Sequence, residues 1–318
     1  MKKYDIVSIG ELLTDFTPHG NSENGNPCFE ANPGGAPANF LAAASCYGAK
    51  CAMIANVGND VFGESLIKAL KNSGICTNGI IKDKNTFTTL AFVTLDEKGN
   101  RNFSFSRKPG ADTMLEWNKV NKNIIEETKL IHFGTLSFTN DPSKTTVLKA
   151  LEFAKEKNII ISFDPNYRES LWKNKSDAKN AAYLGFKYAD IVKISEDEVK
   201  FYLNTDEKNG ADILLQKYKC KIVFVTLGEK GCYYATKTFN GYIQNYNDVV
   251  TRDTTGAGDI FGGSAVAAIL EKNKELHKLT EEDIKEIVKY SCTAASLSTE
   301  KYGGISSVLK KENVLKHI

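Results

Sequence analysis

Short runs rich in Ile and Val recur between helical patterns along most of the 318-residue chain. Residues 4–10 (YDIVSIG), 51–57, 130–133, 159–163 (IIISF), 190–194 and 221–227 (KIVFVTL) each have turn or polar residues beyond their ends. A strand that is apolar on both sets of alternating side chains cannot lie on a half-exposed sheet. It needs cover on both faces, which a parallel sheet receives from its crossover helices. Helical patterns fall in the intervals, at 36–47, 62–72, 144–157, 176–188 and 211–218. The pattern predicts an α/β three-layer sandwich with a mostly parallel central sheet.

Two stretches break the alternation. Residues 88–95 (TTLAFVTL), the turn Asp96-Glu97-Lys98-Gly99-Asn100 and residues 101–106 (RNFSFS) read as an antiparallel hairpin. Phe103 and Phe105 alternate with Asn102, Ser104 and Ser106, as on a sheet with one wet face. The polar, Gly/Asn-rich residues 12–31 could hold further strands. A small antiparallel β lid, from segments at about 12–32 and 86–110, is therefore expected over a cleft in one domain spanning 1–318. No linker or repeat divides the chain. Near the end, residues 260–270 (IFGGSAVAAIL) carry no charge and predict a helix buried on most sides. Thr280-Glu281-Glu282-Asp283 caps a second helix, which Gly303-Gly304 is expected to stop.

Composition narrows the function. Lys and Arg number 41 against 39 Asp and Glu, a net charge of +2 with the signs interspersed. No basic field marks a nucleic-acid partner, and no apolar run is long enough for a membrane span. Met1-Lys2-Lys3-Tyr4-Asp5 puts an acid where a signal peptide has its apolar core, so a cytoplasmic protein is expected. The seven cysteines lack metal-ligand spacing and read as reduced, mostly buried thiols.

The chemistry concentrates in Asp253-Thr254-Thr255-Gly256-Ala257-Gly258-Asp259, directly before the uncharged helix. Small residues admit a ligand close to the backbone, and the first-turn N–H groups with the helix dipole make an anion site. Asp259 would repel a phosphate held there. The conflict resolves if it acts as a base on a hydroxyl attacking a phosphoryl group. Two plainer readings exist: a glycine turn capping a buried helix with Asp259 as a first-turn acid, and a dinucleotide loop, whose last glycine spacing is one residue too long. Gly58-Asn59-Asp60-Val61-Phe62-Gly63-Glu64-Ser65 has the spacing of a Walker loop, but Glu64 stands in place of its lysine, so it is no P-loop. In open parallel sheets, ligands bind beyond the carboxyl ends of the strands. Asp15, then Asp164-Pro165-Asn166-Tyr167-Arg168, then Ser195 and Glu198, then Gly228-Glu229-Lys230-Gly231 all fall there.

These residues resemble the ribokinase-type sugar kinases, the PfkB family, over essentially the whole chain. Gly34-Gly35-Ala36-Pro37-Ala38-Asn39, continuing to residues 57–63, resembles the family's N-terminal signature, and DTTGAGD at 253–259 its C-terminal one. The resemblance implies ATP-dependent transfer of a γ-phosphoryl group to a sugar hydroxyl, with magnesium. Asp259 matches the base, and Gly256, Ala257 and Gly258 match the loop whose amides hold the phosphoryl. Asp15, Gly34, Gly35 and Asn39 match the sugar-binding segment. Lys193, Ser195, Thr226, Gly228, Lys230, Gly231 and Ala295 fall where the nucleotide is expected. Of the family's N-x-x-E motif, Glu198, linked to magnesium, is kept, while Ser195 replaces the Asn. Asp253 and Thr255 match positions that bind a monovalent cation in many members, which extends the expectation to potassium.

The substrate narrows further by resemblance. Residues 103–112 (FSFSRKPGAD) resemble a fructokinase lid, with Phe105 and Arg107 reaching the sugar from it, and Lys193-Ile194-Ser195 is fructokinase-like. The stretch 163–168 (FDPNYR), with Asn166 and Arg168 at the sugar, also occurs in 2-keto-3-deoxygluconate kinases. Those carry tyrosines just ahead of the lid arginine, where this chain has Phe105 and Ser106. Fructose, phosphorylated on its 6-hydroxyl, is the expected substrate. 2-Keto-3-deoxygluconate is the alternative, followed by ribose or a nucleoside, and then a sugar-binding regulator without catalysis. A lid edge with exposed Phe suits a homodimer contact.

Overall fold

The computed structural model describes residues 2–95 and 101–318. The first half of the chain forms β1 (Tyr4–Ile9), β2 (Leu13–Asn21), β3 (Pro27–Gly34), α1 (Ala36–Tyr47), β4 (Cys51–Gly58), α2 (Val61–Asn72), β5 (Cys76–Asp83), β6 (Leu90–Leu95) and β7 (Arg101–Ser106). The second half forms α3 (Lys122–Glu126), β8 (Thr128–Gly134), α4 (Ser143–Glu156), β9 (Ile160–Asp164), α5 (Lys175–Tyr188), β10 (Ile191–Ser195), α6 (Glu196–Leu203), α7 (Glu207–Gln216), β11 (Ile222–Thr226), β12 (Cys232–Thr236), β13 (Asn240–Ile243), α8 (Ala257–Glu271), α9 (Glu281–Ser298) and α10 (Lys311–Val314).

The central sheet runs β13-β12-β11-β10-β9-β8-β1-β4-β5. It is parallel from β11 to β5, and β12 and β13 return antiparallel at one edge. The Ile/Val runs explain the arrangement: every residue of β4 is buried, and Val7 and Ile9 of β1 pack into one apolar layer while Ile6 packs into the other. The second sheet, β3-β2-β6-β7, consists of two antiparallel hairpins whose inner strands β2 and β6 pair in parallel. Both segments expected to form a lid therefore contribute strands to it. The expected hairpin turn at 96–100 lies outside the described residues.

Three details depart from the sequence expectations. Helix α7 begins at Glu207, ahead of the expected Ala211, because the Asp206 side chain caps it by accepting from Asn209 N–H. Helix α9 ends at Ser298, short of Gly303-Gly304, where the Thr299 carbonyl accepts N–H groups from Arg252 and Asp253. Strands β5, β12 and β13 and helix α6 lie where the apolar alternation gave no signal. The Walker-like stretch is a structural turn. Asp60 caps α2 through Phe62 and Gly63 N–H and also accepts from Thr88 N–H, and a Cβ on Gly63 would stand 2.1 Å from the Gly58 carbonyl oxygen.

Helix α8 carries no charge between Asp259 and Glu271 because α1, α9 and the sheet enclose that stretch. The two helices pack backbone to backbone, and a Cβ on Gly263 would lie 2.0 Å from the Phe40 carbonyl oxygen. Glycine there sets the interhelical distance. Gly263→Ala is expected to lower unfolding free energy by about 1–3 kcal/mol or more, the scale of overpacking a tight core. Equilibrium denaturation compared with the parent chain checks it; an unchanged midpoint would show that the contact is slack.

Candidate active site

The carboxyl ends of β1, β9, β10 and β11 and the first turn of α8 converge on one rim, where three cavities adjoin. One of about 260 Å³ is lined by Glu11, Asp15, Gly35, Asn39, Phe105, Asn166, Arg168 and Asp259. A larger one of about 650 Å³ lies on the other side of the α8 N-terminus, lined by Thr226, Gly228, Lys230, Gly231, Ala257, Gly258 and Ala295. Thr254 belongs to both walls. A third, of about 460 Å³, shares Asn166 and Arg168 with the small cavity and holds Lys193, Ser195 and Glu198.

Gly256 makes this junction possible. Its φ of 77° is left-handed, and a Cβ would stand 2.9 Å from the Gly304 Cα, so only glycine turns the chain into α8 here. No side chain caps the helix; the Ala257 N–H donates to the Thr254 carbonyl at 3.3 Å, and Ala257 and Gly258 line the larger cavity. The loop is braced by Asp253, whose buried carboxylate accepts from Thr255 N–H at 2.8 Å and Gly303 N–H at 2.8 Å.

Asp259 is buried in that first turn and accepts a hydrogen bond from Asn39 Nδ2 at 2.9 Å. Burial raises its pKa, while the Asn39 hydrogen bond and the Lys193 and Arg168 charges pull the other way. A carboxylate so placed is a stronger base than one in water. Burial likewise pushes Asp15 up to about 7, against the pull of Arg168. Gly34 lies behind it, where a Cβ would meet Asp15 Oδ2 at 2.0 Å. Lys193 pairs with Asp164 at 2.9 Å, and its ammonium stands 2.8 Å from where a Gly258 Cβ would be. Burial alone would lower the Lys193 pKa, but Asp164, Glu198 and Asp259 outweigh it, so the cation persists beneath the anion loop.

The structure therefore gathers most of the residues singled out from the sequence, and it redistributes three. Arg107 does not reach the small cavity. Its Nε and Nη2 bind Asp112 at 2.8 and 2.6 Å, Nη1 binds Thr139, and Nη2 also binds the Leu136 carbonyl. Burial beside a carboxylate holds it behind the wall. Lys193 and Ser195 line the third cavity rather than the large one. Ser195 caps α6, bonded reciprocally with Glu198, whose other oxygen accepts from Tyr167 N–H at 2.7 Å. Glu11 was missed as a site residue, and Asp164, expected at the rim without a role, is the partner of Lys193. Glu11 lies two residues past β1, so the rule that pointed to Asp15 could have found it.

Residues 3–311 match the family model for pfkB family carbohydrate kinase. The chain belongs to the PfkB family of carbohydrate kinases. This kinase is 38% identical over 306 residues to Fructokinase-2 of Solanum lycopersicum, covering 95% of this chain and 92% of that protein. It superposes on the fructokinase with bound ATP from Xylella fastidiosa with a TM-score of 0.91 at 26% identity, covering 100% and 98% of the two chains. On a fructokinase double mutant from Vibrio cholerae in a fructose-, ADP- and potassium-bound form, the TM-score is 0.89 at 27% identity, covering 100% and 99%. The kinase is thus a sugar phosphotransferase with a ribokinase-like fold. No described helix is long and apolar enough to cross a membrane.

Arg107→Ala leaves the Asp112 carboxylate buried without its cation, and a loss of about 3–5 kcal/mol in unfolding free energy is expected, the scale for breaking a buried pair. Chemical denaturation measures it, and a cost confined to sugar KM would instead return Arg107 to the substrate. Asn39→Ala removes a hydrogen bond that favours ionised Asp259, so the Asp259 pKa rises and the acidic limb of the turnover–pH profile moves to higher pH. A limb that stays in place, or moves down, would dissociate Asn39 from the base.

Proposed function

We propose that this kinase transfers the γ-phosphoryl group of ATP to the 6-hydroxyl of fructose, with Asp259 as general base. One observation carries the reading: a buried, raised-pKa carboxylate stands where the smaller cavity meets the open N-terminus of α8. The small cavity, rich in carboxyl and amide groups, takes the sugar, with Asp15, Asn39, Asn166 and Arg168 toward its hydroxyls. The large cavity takes the nucleotide, Ala295 and the 228–231 turn forming its walls. The fructokinases among the relatives and solved structures support this choice of substrate.

Chemically, Asp259 accepts the hydroxyl proton as the oxygen attacks phosphorus, so the negative charge on the acceptor never fully develops. The Gly256–Ala257–Gly258 backbone and the Lys193 ammonium stabilise the phosphoryl oxygens in place of water. Closure of the β2–β3 and β6–β7 hairpins over the small cavity, where Phe105 already forms part of the wall, excludes competing solvent.

Magnesium fits as an ion carried largely by nucleotide phosphates and water. Among the described residues no cluster of three or more acidic, His or Cys side chains could cage it, and Mg²⁺ ordinarily needs only one or two carboxylates. Asp197 supplies one at the third cavity, and Glu198, whose two oxygens already accept the Ser195 and Tyr167 N–H groups, would act on the ion indirectly through water; the bound ion would offset phosphate charge. Potassium is assigned to Asp253 and Thr255, chiefly through carbonyl oxygens, since both Asp253 carboxylate oxygens already accept backbone N–H groups. A homodimer through the second sheet is proposed on the exposed Phe29 and Phe87 beside it.

Arg168, on the wall of the small cavity, favours the competing reading of a carboxylated sugar such as 2-keto-3-deoxygluconate. Coupled ADP release over fructose, 2-keto-3-deoxygluconate, ribose and adenosine, with and without potassium, separates the two. Fructose is expected to give the highest kcat/KM, and a preference for the keto-deoxy acid would overturn the substrate assignment. Asp259→Asn is expected to reduce turnover by at least about 10²-fold, the contribution of a positioned base. Near-parental turnover would remove Asp259 from the mechanism.

A further inference from the structure

Glu11 belongs to none of the roles above, yet it is one of three acids on the wall of the sugar cavity, with Asp15 and Asp259. It is 1% exposed. Its Oε1 accepts the Ala36 N–H at 3.3 Å, while Oε2 is buried with no hydrogen-bond partner. The backbone fixes it in place, because Gly35, at φ 108°, lets the chain pass where a Cβ would stand 2.6 Å from the Glu11 carbonyl oxygen. A buried polar oxygen without a partner is costly, and in a native fold it calls for an explanation. At the wall of a substrate cavity, the explanation is a partner that arrives with the substrate.

We propose that Glu11 is a specificity-determining residue whose Oε2 hydrogen-bonds one oxygen of the bound ketose. The inference rests on reading this cavity as the acceptor-sugar site. Burial pushes the Glu11 pKa up to about 8 against the pull of its own backbone N–H, with Asp112 and Asp259 adding to the rise and Arg107 opposing it. The group is therefore neutral near neutral pH, and since Oε1 accepts from Ala36, the proton belongs on Oε2. A neutral acid that donates suits an uncharged sugar oxygen. It also leaves the cavity less anionic than its three carboxyls imply, with Asp15 held back in the same way.

The test compares the parent enzyme with Glu11→Gln and Glu11→Leu, measuring kcat and KM for fructose and equilibrium sugar binding by calorimetry. Gln keeps an acceptor for Ala36 N–H and a donor in the place of Oε2–H, and Leu keeps neither. The Leu variant is expected to raise KM at least about tenfold with kcat changed far less, the effect of one lost hydrogen bond, and the Gln variant to restore KM. Parental affinity should weaken as pH rises through about 8 and Glu11 loses its proton, while the Gln variant lacks that loss. Asp15 and Asp259 titrate in both proteins, so the parent-to-Gln ratio isolates Glu11. Among monodeoxy fructoses, one should bind the parent weakly and show no further loss on the Leu variant.

Equal KM for parent and Leu variant would overturn the proposal, as would kcat and KM falling together with no rescue by Gln. Should the Leu variant not fold, the pH comparison with Gln decides, and superimposable pH profiles count against Glu11. If the parent releases no ADP with fructose, the fructose reading is at fault. Binding of whichever panel sugar the parent does bind then judges Glu11 by the same comparison.

Discussion

Everything at the site depends on how closely α1 approaches the start of α8. Glycines at 262 and 263 bring the two helices together on Phe40, and Gly256 turns into α8 against the Gly304 backbone. Only at that separation do Asn39 and Asp259, 220 residues apart in sequence, form a hydrogen bond of 2.9 Å. Removing a carboxylate from water costs several kcal/mol unless hydrogen bonds replace the lost hydration. Here the replacement is partial, and the remaining deficit is what makes Asp259 basic. The packing of α1 on α8 and the raised pKa of Asp259 are thus set by the same contact.

Two buried ion pairs divide the remaining work. Buried pairs are close to neutral for stability when compared with apolar residues, so their presence is better explained by what they position. Lys193–Asp164 keeps an ammonium fixed beneath the anion loop, touching the space that a larger residue at Gly258 would occupy. Arg107–Asp112 fastens the end of β7 to the wall behind the sugar cavity, through Thr139 and the Leu136 carbonyl. On the proposed function, the first pair holds a charge ready for the phosphoryl group; the second anchors the strand that carries Phe105.

The parallel sheet was legible because its strands are buried on both faces, and nothing but an apolar run survives there. Helices α1, α2, α4 and α5 were legible from periodicity, and the anion loop from Gly256 and Gly258. What escaped shows where one-dimensional patterns fail. Strand β13 is an antiparallel edge whose exposed Asn240 and Tyr242 leave no apolar run, and β12 (CYYAT), though buried, holds no Ile or Val run of the kind that marks the parallel strands. The α7 start was hidden by a charged first turn. Arg107 was misplaced because sequence shows a cation beside a lid but cannot show that Asp112, five residues on, captures it. Glu11 was passed over because one acid after a strand is ordinary until its burial and its unpartnered oxygen are visible.

On the proposed function, the fold resolves a conflict of charge by separating its two substrates. A phosphate chain and a deprotonating carboxylate repel, and placing both in one cavity would weaken each. The acids Glu11, Asp15 and Asp259 all face the small cavity, where a neutral sugar meets them as hydrogen-bond partners rather than as countercharges. The phosphates are left to the far side of Thr254, with the α8 amides, Lys230 and the loop glycines. Of the three acids, Asp259 alone stands both at the small cavity and in the first turn of α8, so on that reading phosphate and base would meet only along the line of transfer. Burial raises the pKa of all three acids, which disfavours the charged form and eases the crowding of carboxyls beside the first turn of α8.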